Sequence, residues 1–189
     1  MSRKIQKVIL LLDNSGSMEG QPILELKRAV NKLSHSLEKY DREHSRVDLQ
    51  VISFATEAKF VSKHKVHTME ANGRTNLADA YKKLNLIFNK HKYFDYPPII
   101  LLMCDGRPNL CDHNKELEKL YTKRAFKTSN RLSIAYGEQT KETLQTLANF
   151  SGKHNVISTT NIDIIRHLVE SNISKEIKTQ NYNKRCYSY

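Results

Sequence analysis

Apolar positions along this chain follow two alternating periods. Val8-Ile9-Leu10-Leu11-Leu12 is a continuous apolar run that ends in Asp13 and a Gly-containing turn, the pattern of a strand covered on both faces in the middle of a parallel sheet. Pro22 fits the first turn of a helix. Ile23, Leu26, Val30, Leu33 and Leu37 then recur at steps of three and four, with Glu25, Arg28, Lys32 and Glu38 on the other side, which predicts one buried helical face. Val47, Leu49 and Val51 alternate with Asp48 and Gln50 before running into residues 52–55, a second strand. Residues 59–62 predict a short, weaker strand at a sheet edge, paired with the second as a hairpin.

A polar connection over 63–74 leads to Leu77, Ala80, Tyr81, Leu84, Ile87 and Phe88, a second helix that must stop before Pro97 and Pro98. Ile99-Ile100-Leu101-Leu102-Met103-Cys104 repeats the first strand in composition and in its ending, Asp105-Gly106. The pattern then predicts a helix over 115–128, a strand over 132–136, a helix over 140–150 and a strand over 156–158. A last helix, capped by Asn161, carries Ile165, Leu168, Val169, Ile173 and Ile177 on one face. Such alternation predicts an α/β protein. If the two most apolar strands are neighbours at the sheet centre, Asp13 and Asp105 emerge side by side. Residues 178–189 are polar and Tyr/Asn-rich without periodicity, and are expected to be a flexible tail.

Composition narrows the function classes. At 189 residues the chain suits one domain. A formal charge of +11 favours acidic partners: nucleic acid, an anionic membrane surface or an acidic protein. The Lys and Arg residues are spread over several predicted helices, however, which favours solvated helix faces over a nucleic-acid patch. No apolar run approaches the ~20 residues that cross a bilayer. Residues 1–4 lead straight into the first strand, so the expected location is the cytoplasm. Three cysteines, Cys104, Cys111 and Cys186, form no regular framework and are expected to be reduced thiols. His64, His67, His91 and His113 show no ligand spacing and are read as surface residues.

The turn after the first strand offers oxygen donors only: the Asp13 carboxylate and the Ser15 and Ser17 hydroxyls. Such a set suits a hard cation such as Mg²⁺ or Mn²⁺. Gly16 lets the turn close so that both hydroxyls face one point. This Asp-x-Ser-x-Ser pattern resembles the metal-ion-dependent adhesion site (MIDAS) of von Willebrand factor A (vWA) domains, a family that adds a Thr and a second Asp from two later loops. Gly73-Arg74-Thr75-Asn76 and Asp105-Gly106-Arg107-Pro108 stand at those places.

The resemblance covers residues 4–177. It implies a three-layer, doubly wound, Rossmann-like sheet, mostly parallel with one short antiparallel edge strand and helices on both faces. It also implies that Ser15, Ser17 and Thr75 bind the metal directly, with Asp13 and Asp105 acting directly or through water. An Asp or Glu of a partner protein would complete the coordination. Cys104 departs from the Thr that often precedes the second Asp. Asn14 and Met18 are expected to point away from the metal, with no role beyond lining the rim.

Among vWA proteins the chain is most similar to small intracellular bacterial members associated with tellurite resistance, which occur beside kinase and phosphatase partners in stress or defence systems. Three other readings compete. Asp13, Asp105 and Thr75 could cap the following helices, with the serines as turn formers. The ion could serve phosphoryl hydrolysis, although the sequence has no phosphate loop and no nucleophile elbow. The basic surface and tail could bind nucleic acid, in which case affinity would fall steeply with salt. The sequence favours a metal-dependent protein-interaction module, not an enzyme. In that reading the last helix stays packed on the sheet rather than sliding as it does in adhesive family members.

Overall fold

Residues 4–43, 46–91, 93–105, 112–137, 139–161, 164–165, 167–172 and 175 are described by a computed structural model. The strands are β1 (Ile5–Asp13), β2 (Arg46–Phe54), β3 (Ala58–Val61), β4 (Ile99–Cys104), β5 (Asn130–Tyr136) and β6 (Val156–Thr159). They form one sheet in the order β3-β2-β1-β4-β5-β6. Every pairing is parallel except β2 with β3, which is antiparallel. The two most apolar strands are indeed central neighbours, and every residue of β4 is buried.

Helices cover both faces, which is why β1 and β4 are apolar on both sides. α1 (Gln21–Glu43) packs Leu26, Val30 and Leu33 over Val8, Leu10, Leu12, Leu101 and Met103. On the other face, α2 (Leu77–Lys90), α3 (His113–Tyr121) and α5 (Lys141–Ser151) pack Tyr81, Leu84, Leu120 and Phe150 over Ile9, Leu11, Ile100 and Leu102. Asn76 caps α2 by accepting a hydrogen bond from the Asp79 N–H at 3.1 Å, so Thr75 is not the cap.

The expected 115–128 helix is two pieces, α3 and α4 (Arg124–Lys127). Lys123 adopts an extended conformation, and the Thr122 hydroxyl donates back to the Lys119 carbonyl at 2.8 Å. The break turns the Phe126 ring into the core, edge-on to Tyr121. A 3-10 turn, Lys63–Thr68, lies within the connection read as polar, and its Val66 is buried in the α1-side core. Residues 164–165, 167–172 and 175 of the last predicted helix are helical, and Ile165 and Val169 are buried against α1's face of the sheet. Gly106, Arg107, Pro108, Cys111, Ile173, Ile177 and the 178–189 tail with Cys186 lie outside the described residues.

Sheet order reverses beside β1: α1 carries the chain from β1 to β2 over one face, while α3 and α4 carry it from β4 to β5 over the other. A crevice therefore opens at the carboxyl ends of β1 and β4, the place where open α/β sheets take ligands. No helix among the described residues is long and apolar enough to cross a membrane.

Candidate metal centre

Asp13 is the last residue of β1 and is fully buried. The β1–β4 register, with Leu12 opposite Met103, sets it beside Cys104. Its Oδ1 accepts the Ser15 N–H at 2.8 Å, closing the turn on itself, and its Oδ2 accepts the Cys104 thiol at 3.0 Å. Burial raises the Asp13 carboxyl from 3.8 to about 6, against the lowering effect of the Cys104 and Ser15 hydrogen bonds. The hydroxyl oxygens of Ser15 and Ser17 are 3.1 Å apart, and Ser17 donates to Asp105 Oδ1 at 2.9 Å. Burial also pushes the Asp105 carboxyl up, partly opposed by that Ser17 bond. A continuous chain of oxygens thus runs from Asp105 through Ser17 to Ser15, whose N–H holds Asp13.

The third loop is fastened to the first by main-chain bonds. Gly16 N–H donates to Gly73 O at 3.0 Å, and Asn72 N–H donates to Asn14 O at 3.0 Å. The Asn14 side chain adds a bond to the Glu70 carbonyl at 2.9 Å. Thr75, buried at 3% exposure, follows in this loop directly before α2. Gly73 has φ +71°, and a Cβ there would lie 2.4 Å from Thr56 Oγ1. That same hydroxyl accepts the Arg74 N–H at 3.0 Å. Only glycine combines this backbone conformation with such a close approach.

Asp13, Ser15, Ser17 and Asp105 are therefore brought together, and the Thr75 loop is tied against the serine turn. Asn14 and Met18 differ from expectation. Asn14 is an internal brace between two loops, and Met18 is fully buried in the α1-side core, because the 3-10 turn Gly16–Met18 rolls it inward. Gly73 and Thr56 support the site without being predicted to do so, whereas Cys104, whose departure from Thr is expected to alter the hydrogen bonding around the ligands, donates to Asp13. An isolated glycine ahead of a helix and a cysteine one residue from the second Asp were the available signals.

The donor set fits a hard divalent cation. Asp13 and Asp105 have no ion-pair partner among the described residues. A fully buried carboxylate, Asp13, beside a half-buried one, Asp105, is costly without a basic partner. No cluster of three or more His, Cys, Asp or Glu stands among the described residues; the serine hydroxyls beside the two carboxylates are oxygen donors that suit a hard cation.

A family model for the von Willebrand factor type A domain matches residues 8–107, a segment that contains all five expected ligands. The chain belongs to the vWA family. Solved vWA structures share the fold at low identity. The vWF domain of the type V pili tip protein Mfa5 from Porphyromonas gingivalis is 10% identical over 92% of this chain and 97% of its own, with a TM-score of 0.70. BatB from Bacteroides thetaiotaomicron is 15% identical over 92% of this chain and 99% of its own, with a TM-score of 0.67. Proximal thread matrix protein 1 from the mussel byssus, in a structure described as having a zinc-occupied MIDAS motif, is 18% identical over 89% of this chain, with a TM-score of 0.68. The matched region is 47% of that mussel chain, so this vWA chain spans about half of it. No curated protein matches by sequence.

Proposed function

We propose that this vWA domain is a metal-dependent protein-interaction module. Ser15, Ser17 and Thr75, with Asp13 and Asp105, hold Mg²⁺ or Mn²⁺ and present it to an Asp or Glu of a partner protein. The observation that carries this reading is a fully buried carboxylate, Asp13, and a half-buried one, Asp105, unpaired with any base among the described residues and brought together through serine hydroxyls at the switch point of the sheet. A bound divalent ion would offset the charge of the two Asp carboxylates, and its neutral hydroxyl ligands would leave it electrophilic, with an open position for an incoming carboxylate. Asp13 is held in place by Ser15 and Cys104, so its orientation is set before any ion arrives. Ser17 is exposed and lies at the mouth, where a partner would approach.

The reading is of a binding module rather than an enzyme: the hydrogen bonds that hold the side chains of Asp13, Ser15, Ser17 and Asp105 among the described residues come from a main-chain N–H, hydroxyls and a thiol, not from a histidine or lysine placed as acid or base. A cytoplasmic role in a tellurite-resistance-like stress or defence system, with a kinase or phosphatase as partner, rests on the sequence resemblance. The zinc-occupied motif of the mussel protein supports occupancy by a divalent ion while leaving zinc as the competitor to test. Mn²⁺ added to the full chain and followed by water-proton relaxation tests both parts of the proposal. Enhancement that is lost in Ser17→Ala and Thr75→Ala, and that falls on addition of N-acetylaspartate amide, is the expected result. Enhancement indifferent to both substitutions would contradict it.

A further inference from the structure

The β4–β5 ladder ends at the pair Cys104 with Ala135, and the β1–β4 ladder ends earlier, at Leu12 with Met103. Asp105 therefore stands one residue past the last ladder pair of β4, beyond the register that fixes the rest of the strand. The connection between β5 and α5 takes over at this point. Gln139, half-buried, donates from Nε2 to the Asp105 carbonyl at 3.0 Å, and from the same nitrogen to the Tyr136 carbonyl at the end of β5. An amide nitrogen carries two hydrogens, one for each carbonyl, and two carbonyl acceptors fix which end of the amide is the nitrogen. The Gln139 side chain thus continues the join between β4 and β5 by one residue.

Tyr136 is itself held. Its hydroxyl donates to Glu25 Oε2 at 3.0 Å, and Gln21 Nε2 donates to Glu25 Oε1 at 2.8 Å. Gln21 and Glu25 lie in the first turns of α1, directly after the serine turn. Through Gln139 and Tyr136, Asp105 is fastened to the helix into which Ser15 and Ser17 lead.

We infer that Gln139 is a positioning residue of the metal centre, supplied by a fourth loop beside the three that carry the expected ligands. The inference rests on the metal-binding reading given above. Gln139 grips the main chain of Asp105, while Ser17 holds Oδ1 of the carboxylate. It therefore aims Asp105 without competing with an ion for the carboxylate oxygens. Groups that orient a ligand from behind raise metal affinity, because the ligand is already ordered when the ion arrives; losing one costs about 10–100-fold in affinity.

Mn²⁺ titrated into the full chain and followed by water-proton relaxation tests this. Gln139→Leu keeps the bulk and removes both donors, and Gln139→Asn is one methylene too short to reach both carbonyls. Each should fold, which circular dichroism checks, and each should lose Mn²⁺ affinity by about tenfold or more. Thr140→Ala loosens the same connection by removing the α5 cap, where Thr140 Oγ1 accepts the Thr143 N–H at 3.3 Å, and should keep wild-type affinity. A folded Gln139 variant that loses less than this would overturn the inference, as would an equal loss in Thr140→Ala. Absence of Mn²⁺ uptake by the wild type would instead remove the metal reading and the inference together.

Discussion

Asp13→Asn is predicted to stabilise the metal-free protein while abolishing its response to metal. The carboxyl is raised from 3.8 to about 6 because burial disfavours its charged form. A shift of that size makes the ionised side chain cost about 3 kcal/mol in the folded state at neutral pH and above. Asparagine keeps an oxygen to accept the Ser15 N–H. Its amide nitrogen then stands at the Oδ2 position and cannot accept from the Cys104 thiol, so that bond is lost at a cost of about 1 kcal/mol. The expected net gain for Asp13→Asn is therefore about 2 kcal/mol at pH 8.

The sign follows from linkage. The native state binds this proton more tightly than the unfolded chain, so the wild type gains stability as pH falls through about 6, with the gain complete below 3.8. The variant lacks this dependence. Urea unfolding of both proteins in EDTA from pH 8 to pH 4 measures the difference, in which other titrating groups largely cancel. The advantage of the variant should shrink and vanish across that range. Saturating Mg²⁺ at pH 8 should also remove it, by stabilising the wild type alone. A variant less stable than wild type at pH 8, with a difference that does not change with pH, would refute the reasoning.

Other substitutions separate the site from the scaffold. Gly73→Ala forces a Cβ against Thr56 Oγ1 at a positive φ; it should destabilise by roughly 1–3 kcal/mol and weaken metal binding, read by thermal unfolding with and without Mg²⁺. Asp48→Asn strips the partner, at 2.5 Å, from the nearly buried Lys7 at the far end of the sheet. It should cost roughly 1–3 kcal/mol in urea unfolding and leave the metal response intact. Tyr81→Phe removes a fully buried hydroxyl that has no hydrogen-bond partner among the described residues, while keeping the ring stacked on Phe150. It should be neutral or stabilising by up to about 1 kcal/mol in the same assay.

The central strands and the order of elements were legible because burial on both faces forces continuous apolar runs, and β1 and β4 have nothing else to be. Asp13, Ser15, Ser17 and Asp105 could be paired across the chain because each carboxylate directly ends such a run. What holds the loops together was not legible. The Gly16–Gly73 and Asn14–Asn72 bonds join main chain to main chain and leave no trace in side-chain type. Met18 looked like rim because one helical turn, too short for periodicity, decides which way it faces. The break at Lys123 escaped notice for a related reason: Leu117, Leu120, Tyr121 and Ala125 keep a helical spacing that only the docking of Phe126 overrides.

Unfolding of the full chain against Mg²⁺ and Mn²⁺ tests the metal assignment most directly, for wild type beside Ser17→Ala and Thr75→Ala. At a hundredfold excess over the dissociation constant, a cation bound only by the folded state should stabilise the wild type by about 2.7 kcal/mol. Wild type should show that gain and both variants should lose it. No shift with either ion, or an equal shift in all three proteins, would contradict it.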